Sequence, residues 1–391
     1  MNKLYPLKIK DIRRETDDCV SIAFDIPTDL ATIFAYKSGQ YLTFRAIINE
    51  KEVRRSYSIC SSPLDNEWRV AVKKVENGVF STFANEVLKR GDVLETMPPS
   101  GHFVIENVFE NTDKSLVNTD KSLRNTDKSL GNTDKSLGNT DKSLKNTDKH
   151  YIFFAAGSGI TPIIAHIKTL LRSDNDVKCT LIYGNKRTAS IIFREDIDAL
   201  KNQFMSRLRV VHILSRERTD VDLLRGRLDN DKIALLFEKM PEILRGSAFF
   251  ICGPEDMTTT IKTALLNQNI DPKQIHFELF GTKTKQKTVK SPSKADELPR
   301  SIATIKLDGI TFDVPIFNDT AVLDAALEAG ADLPFACKGG VCCTCRAKLT
   351  EGKVEMLVNY SLTEEEVENG FILTCQAMPL TPHIVVDFDI K

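Results

Sequence analysis

The stretch CKGGVCCTC at residues 337–345 decides the fold of the C-terminal part of this chain. Three of its cysteines follow the spacing C-x4-C-x2-C, and a further cysteine comes after 29 intervening residues. This spacing is typical of a [2Fe–2S] cluster, in which four thiolates hold two bridged irons. The predicted ligands are Cys337, Cys342, Cys345 and Cys375.

The loop that carries three of these cysteines must curl tightly around the cluster. Gly339 and Gly340 are expected to adopt positive φ angles there and to bring backbone N–H groups to the sulfurs. Cys343 is one cysteine more than the pattern needs, and we interpret it as a non-ligand. A structural zinc site is the alternative, but zinc motifs usually pair two C-x2–4-C knuckles, whereas Cys375 stands alone.

Residues 301–391 carry 14 Asp and Glu against 6 Lys and Arg, a net formal charge of −8. This segment resembles plant-type ferredoxins, from a strand pair around Ala303–Val314, through a helix at Val322–Ala329, to Phe371–Ala377. The resemblance implies a β-grasp fold. The acidic surface predicts docking against a basic patch on an electron-accepting protein.

The composition of the whole chain limits the classes of function. With 391 residues, of which 41% are hydrophobic and 27% charged, the chain is expected to form two or three domains. A net charge of −1 argues against nucleic acid as a partner. There is no run of 18 apolar residues and residues 1–18 lack the apolar core of a signal peptide, so no membrane span and a cytoplasmic location are expected. Nine cysteines, an odd number, argue against a disulfide framework.

Residues 1–106 are predicted to form a small antiparallel β-barrel, because they contain many short strands and little helix. The predicted strands are Val20–Ile26, Tyr41–Ile47, Arg55–Cys60 and Trp68–Val75. One helix is predicted at Ser81–Lys89, closed by Gly91.

The tetrad Arg55-Ser56-Tyr57-Ser58 matches the Arg-x-Tyr-Ser motif of the ferredoxin–NADP reductase family, which this segment resembles. The resemblance implies a flavin site. In it Arg55 neutralises a phosphate, Tyr57 lies against the isoalloxazine ring, and Ser58 reaches the flavin N5 atom. Tyr57 and Ser58 are therefore predicted to act in catalysis as well as in binding.

Two further segments resemble elements of that flavin barrel. The first opens the predicted helix, where N–H groups and the helix dipole favour a phosphate, and consists of Gly78, Val79, Phe80, Ser81 and Thr82. Ser81 as an N-cap is a compatible alternative. The second is Pro98–Phe103, which resembles the segment that ends the family's barrel. The resemblance alone favours FAD over FMN.

Residues 150–281 alternate apolar strands with amphipathic helices, which predicts a Rossmann-like parallel sheet covered by helices. A glycine-rich loop follows the strand Tyr151–Ala155 and opens the helix Ile160–Leu171. Such a loop lets the backbone approach a pyrophosphate, and the reductase family shows the same Gly-x-Gly-x-x-Pro pattern. The loop residues are Gly157, Ser158, Gly159, Ile160, Thr161 and Pro162.

A later strand ends in Cys252-Gly253-Pro254, with Met257 on the helix that follows. By the resemblance, Cys252 lies beside the nicotinamide C4 atom and is catalytic. A small buried apolar residue is the alternative for this cysteine. Tyr183–Asn185 and Phe277–Phe280 also resemble segments that line the cofactors, with Phe280 as a predicted contact.

Ser215 and Arg216 follow the third strand of this domain, where NADP-using members of the family bind the 2′-phosphate. Arg227 is placed to assist. The pair therefore predicts NADPH in preference to NADH.

Two spacers separate the three segments. Residues 107–149 hold the repeat Asn-Thr-Asp-Lys-Ser-Leu-x, whose single Leu per seven residues argues against a coiled coil and predicts a disordered spacer. A docking element is the alternative for this tract. Residues 282–300 form a basic linker with six Lys and Arg.

The order of flavin barrel, nicotinamide domain and ferredoxin resembles the reductase subunits of multicomponent oxygenases, and among them those of the phenylacetyl-CoA epoxidases. The resemblance implies hydride transfer from NAD(P)H to flavin, single-electron transfer to the cluster, and an oxygenase as acceptor. A general ferredoxin-type reductase serving desaturases or cytochromes, and a redox sensor, are the alternatives.

Overall fold

The structure is a computed structural model that describes residues 3–105, 149–279, 299–317 and 319–390. These residues form three domains in chain order, each built on its own sheet. The seven-residue repeats, most of the predicted 282–300 linker, and Phe280 lie outside the described residues.

The first domain, the barrel domain, has six antiparallel strands. They are β1 (Tyr5–Thr16), β2 (Cys19–Asp25), β3 (Tyr41–Ile48), β4 (Lys51–Ser58), β5 (Trp68–Lys73) and β6 (Val93–Thr96). Their order is β4-β3-β6-β1-β2-β5, and an antiparallel bridge between Ile59 and Val70 joins the two edges into a barrel. Helix α1 (Val79–Glu86) inserts Phe80 beside the stacked rings of Phe24 and Phe44, so aromatic side chains fill the barrel.

The second domain, the parallel-sheet domain, has five parallel strands in the order β11-β10-β7-β8-β9. They are β7 (His150–Ala156), β8 (Lys178–Asn185), β9 (Leu208–Leu214), β10 (Ala248–Gly253) and β11 (Ile275–Leu279). The covering helices are α2 (Ile160–Ser173), α3 (Arg194–Gln203), α4 (Asn230–Lys239) and α5 (Glu255–Asn267). Because strand order reverses between β7 and β10, their carboxyl ends form the crevice in which such sheets bind ligands.

Both faces of this sheet are buried. Phe153 points into one apolar core and Ile152 and Phe154 into the other, as expected for successive residues of a strand between two helical layers. The first of these cores continues into the barrel domain through Cys19, Cys60 and Phe103, so the two domains pack as one body.

The third domain, the β-grasp domain, has a mixed sheet in the order β13-β12-β18-β14-β16. Its strands are β12 (Ser301–Leu307), β13 (Ile310–Ile316), β14 (Arg346–Glu351), β15 (Val354–Met356), β16 (Phe371–Leu373), β17 (Ala377–Pro379) and β18 (His383–Asp387). Strands β15 and β17 form a separate pair. Helix α6 (Val322–Glu328) covers the sheet, and the short helix α7 (Glu364–Glu368) follows a Thr363 capping box.

The predicted fold class is therefore confirmed: an antiparallel barrel, a Rossmann-like parallel sheet and a β-grasp domain. Among the helices of the described residues, none has the length and apolar character required to cross a membrane.

Candidate active site and cluster loop

The carboxyl edge of the parallel sheet meets the end of β4. Cys252 on β10 stands in register with Glu278 on β11, and the Ser58 hydroxyl of the barrel domain donates to Glu278 Oε2 at 3.2 Å. Three side chains from two domains thus converge on one point. Of these, sequence reasoning identified Ser58 and Cys252, and included Glu278 only as part of a lining segment.

Desolvation sets the charge state of this cluster. Burial raises the pKa of the Glu278 carboxyl to about 8, with the Ser58 hydrogen bond acting in the opposite direction. Burial also raises the pKa of the Cys252 thiol, and nearby Glu278 adds to that effect. At neutral pH the thiol and most of the carboxyl population are therefore protonated, and the cleft is locally uncharged.

The remaining residues of the tetrad lie along β4. The Tyr57 ring is half-buried and packs 5.6 Å from Phe80, while Ser56 Oγ lies 2.8 Å from Thr43 Oγ1. Arg55 is exposed; it donates to the Arg54 carbonyl at 2.7 Å and forms no ion pair within the described residues. A guanidinium that lacks a carboxylate partner fits the predicted contact with a flavin phosphate.

The start of α1 differs in one detail from the prediction. Gly78 is the N-cap, and Ser81 lies inside the first turn, so the N-cap alternative for Ser81 is wrong. Its buried hydroxyl accepts the Val75 N–H at 3.2 Å and donates to the Gly78 carbonyl at 3.1 Å. Any phosphate would therefore be met by the backbone N–H groups of the first turn, among them those of Val79 and Phe80, instead of the serine hydroxyl. Thr82 follows as a half-buried residue whose N–H bonds Gly78.

The glycine-rich loop lies between β7 and α2, directly beside Cys252. Residues Gly157–Gly159 form one 3-10 turn, and the Tyr183 hydroxyl donates to the Gly157 carbonyl at 2.9 Å. A Cβ atom on Gly159 would stand 2.1 Å from the Cys252 carbonyl oxygen, so only glycine fits. The loop closes with Thr161, whose hydroxyl donates to the Ser158 carbonyl at 3.0 Å.

The residues around this loop are packed tightly. Ile160, Thr161 and Pro162 are buried in the first turn of α2. Across the crevice, Pro254 precedes α5, and a Cβ atom on Gly253 would stand 2.5 Å from Met257 Cε. The glycine-rich turn at the start of α2 is the kind of loop whose backbone N–H groups can approach a pyrophosphate.

The predicted 2′-phosphate site lies after β9. The Ser215 N–H bonds the Asn185 carbonyl at 2.9 Å, and Arg216 and Arg227 are both exposed. Glu217, the acidic residue of this turn, accepts the N–H and hydroxyl of Thr188, both at 2.7 Å. The Glu217 carboxylate therefore bonds Thr188, and the guanidinium groups of Arg216 and Arg227 are left to bind an anion.

The four predicted cluster ligands fall into two groups of packed side chains. Cys337 packs against Cys342 beside Tyr41 and Ala336, and Cys345 and Cys375 both belong to the core of the β-grasp domain. The neighbouring Cys342 thiol and nearby N–H groups lower the pKa of Cys337 to about 6 despite burial, and the Cys345 thiol lowers the pKa of Cys375. The Gly339 N–H lies 3.3 Å from the Cys337 sulfur, as expected for a donor to a ligand.

Two groups of two cysteines would suit a cluster of two irons held by four thiolates. Within the described ranges, no group of three or more His, Cys, Asp or Glu side chains is arranged around a single ion. Cys343 points elsewhere, since its thiol donates to the Ser361 carbonyl at 3.4 Å.

One expectation about the loop is corrected. Gly340 has φ +73°, and a Cβ atom there would stand 2.9 Å from the Val358 carbonyl oxygen, but the second residue with positive φ is Lys338 (φ 52°) and not Gly339. Gly339 contributes its N–H group alone.

Contacts between domains were missed by sequence reasoning. Arg54, buried on β4, pairs with Asp332 at 2.8 Å and lies over the Phe335 ring. The Tyr360 hydroxyl of the β-grasp domain donates to Glu255, the residue after Pro254 and the first of α5, at 2.9 Å. These side chains hold the cluster loop against both other domains. No motif marks them, because each pair is far apart in sequence.

Comparison with known proteins agrees with this order of three domains. Residues 6–105 match the oxidoreductase FAD-binding domain family, residues 153–263 the oxidoreductase NAD-binding domain family, and residues 305–380 the 2Fe-2S iron-sulfur cluster binding domain family. The structure of phthalate dioxygenase reductase, described as modular for electron transfer from pyridine nucleotides to [2Fe-2S], has a TM-score of 0.55 at 20% identity and covers 98% of both chains. That likeness shows the fold.

Two relatives match over nearly their whole length. A subunit of 1,2-phenylacetyl-CoA epoxidase from Escherichia coli (strain K12) is 38% identical over 395 residues, covering 100% of this chain and 99% of that protein. The ferredoxin reductase component of 3-ketosteroid-9-alpha-monooxygenase from Rhodococcus rhodochrous is 30% identical over 388 residues, covering 98% and 96%.

Fold, site and matches define an NAD(P)H oxidoreductase of the ferredoxin-reductase type, with FAD-binding, NAD-binding and [2Fe–2S] domains. The predicted cofactor classes are thereby confirmed. Within that class, the chain belongs to the family of oxygenase reductase components to which these two relatives, from 1,2-phenylacetyl-CoA epoxidase and 3-ketosteroid-9-alpha-monooxygenase, also belong.

Proposed function

We propose that this chain is the reductase component of a multicomponent monooxygenase of the phenylacetyl-CoA epoxidase type, using NADPH, FAD and one [2Fe–2S] cluster. The observation that carries the proposal is the 38% identity to the Escherichia coli relative, which runs through all three domains. When bound, the nicotinamide supplies hydride, the flavin accepts it, and the cluster passes on single electrons.

The chain's own residues bind and orient these groups. Tyr57 provides a fixed aromatic face, and Arg55 and the first turn of α1 meet the flavin phosphates. Cys252 and Ser58 line the cleft into which the reacting rings would fit, with Glu278 behind them. Because Glu278 is mostly protonated at neutral pH, it accepts the Ser58 hydrogen bond without adding charge to the cleft. Cys337, Cys342, Cys345 and Cys375 hold the irons.

Exchange of this chain for its Escherichia coli relative tests the function. The chain should support NADPH-dependent turnover of phenylacetyl-CoA by the Escherichia coli epoxidase from which that relative has been omitted. The oxygenase is proposed to dock on the acidic β-grasp domain, so this turnover should fall steeply as salt is raised, while flavin reduction by NADPH stays constant. Full reduction of cytochrome c with no epoxidase turnover would instead favour a general ferredoxin-type reductase.

The preference for NADPH depends on Arg216. The variant Arg216→Ala should lower kcat/KM for NADPH about tenfold or more, since a hydrogen bond to a charged group contributes about 1.5–3 kcal/mol. The value for NADH should not change. Arg245→Ala is the matched control. Arg245 is also exposed, but it precedes β10 and so lies at the amino ends of the strands, whereas Arg216 follows β9 at their carboxyl ends. A wild-type protein that prefers NADH would contradict this assignment.

A further inference from the structure

Tyr41 is held in place by the barrel domain, yet its hydroxyl lies in the cluster loop. It is the first residue of β3 and stands directly across from Ser58 of β4. Two backbone hydrogen bonds to Ser100, at 2.8 and 3.1 Å, fix its main chain. Its ring packs against Gly101, where a Cβ atom would come within 3.0 Å of two ring carbons. The ring therefore has little freedom.

The far end of this side chain reaches between two predicted iron ligands. The Tyr41 oxygen accepts the Cys343 N–H at 3.2 Å and lies 3.3 Å from Thr344 Oγ1. The ring is buried in a small cluster with Ala336, Cys337 and Cys342. One barrel side chain thus fixes the segment that joins Cys342 to Cys345.

The Tyr41 oxygen can bond both neighbours at once. A phenol oxygen accepts through its lone pairs and donates through its proton, so it can accept the Cys343 N–H and also bond the Thr344 hydroxyl, where either oxygen can be the donor. Both partners lie between Cys342 and Cys345, so loss of the Tyr41 hydroxyl would remove both contacts from this segment.

We propose that Tyr41 is a positioning residue for electron transfer: its hydroxyl holds the Cys343–Thr344 segment of the cluster loop against the flavin strand. The inference rests on the proposed function, because it needs a cluster at these cysteines. Without that hydroxyl the segment should move more freely relative to β4, so electron transfer to the cluster should slow while hydride transfer to the flavin does not.

The test uses the holoprotein and three variants. Tyr41→Phe removes the hydroxyl that accepts the Cys343 N–H, Thr344→Val removes only the contact between the Tyr41 and Thr344 hydroxyls, and Tyr36→Phe is the control. Tyr36 is a partly buried barrel tyrosine whose hydroxyl bonds the Glu67 carbonyl at 2.9 Å, within its own domain. The measurements are amide hydrogen exchange of the 341–346 segment and the separate rates of flavin reduction and cluster reduction after NADPH is added.

Tyr41→Phe should speed exchange at Cys343 and slow cluster reduction about fivefold, which corresponds to one hydrogen bond of about 1 kcal/mol, while the rate of flavin reduction stays unchanged. Thr344→Val should speed exchange at Cys343 less than Tyr41→Phe does, because the Cys343 N–H keeps its acceptor. Tyr36→Phe should change none of these quantities.

Unchanged exchange at Cys343 and an unchanged rate of cluster reduction in Tyr41→Phe protein that keeps its cluster absorbance would overturn the inference while leaving the proposed function intact. Exchange at Cys343 that rises as much in Thr344→Val as in Tyr41→Phe would also overturn it. If Tyr41→Phe protein loses its cluster on purification, exchange is compared with that of cluster-free wild-type protein, and equal exchange at Cys343 refutes the inference. Wild-type protein without cluster absorbance would refute both proposals.

Discussion

Replacing Cys342 with Ser should abolish electron delivery to a protein acceptor while flavin reduction by NADPH continues. Cys342 is 5% exposed and packs with Cys337 in one small group of side chains, so we expect the two to act as one ligand pair. Without one thiolate, an iron loses half of its protein ligands. The rate of acceptor reduction should fall by more than about 100-fold. Even mutation of a residue that only hydrogen-bonds to a metal ligand lowers metal affinity or activity by about 10- to 100-fold.

The neighbouring residue offers a matched control. Cys343→Ser makes the same change one position later, but the Cys343 thiol points to the Ser361 carbonyl, and burial raises its pKa to about 12. Serine keeps the donor that this contact needs. We expect unchanged cluster absorbance and unchanged acceptor reduction. If Cys343→Ser lost the cluster and Cys342→Ser retained it, the assignment of the four ligands would be wrong.

The fold was predictable where local pattern and burial agree. Strands β2, β3 and β5 were predicted to within two residues at both ends, because each combines an apolar run with flanking turn residues. Strand β1 was missed, since only Leu7, Ile9 and Thr16 of its twelve residues are buried and the charged residues between them hide the alternation. The early start of β4 at Lys51 was missed for the same reason: its first two residues are exposed.

The candidate site was predictable where a motif encodes a local shape. The glycine-rich loop and the cysteine loop are of this kind, because the spacing of their glycines and cysteines within one short segment already indicates a tight loop. Contacts between domains are not. Tyr41 bonds Cys343 across 302 positions, and Arg54 bonds Asp332 across 278. No periodicity within a segment reports such pairs, and they became visible only when the three domains were placed together.

The second large effect is expected at Gly159, where the glycine-rich loop packs against β10. In Gly159→Ala the new Cβ atom would stand 2.1 Å from the Cys252 carbonyl oxygen and 3.0 Å from the Gly253 nitrogen, and both are backbone atoms that cannot turn aside. Either the loop or the end of β10 must shift. Since a displacement of about 1 Å can cost about 100-fold in rate, hydride transfer from NADPH to flavin should fall by about that factor.

Stopped-flow measurement of flavin reduction tests this prediction, with Gly309→Ala as the control for a glycine-to-alanine change. Gly309 lies in the β12–β13 turn, and a Cβ atom there meets nothing within 4 Å, although its φ of +77° strains an alanine. Electron transfer from chemically reduced protein to an acceptor should survive in both variants, because the cluster loop is untouched. A Gly159→Ala protein that reduces its flavin at the wild-type rate would show that the loop and Cys252 are not packed together during hydride transfer.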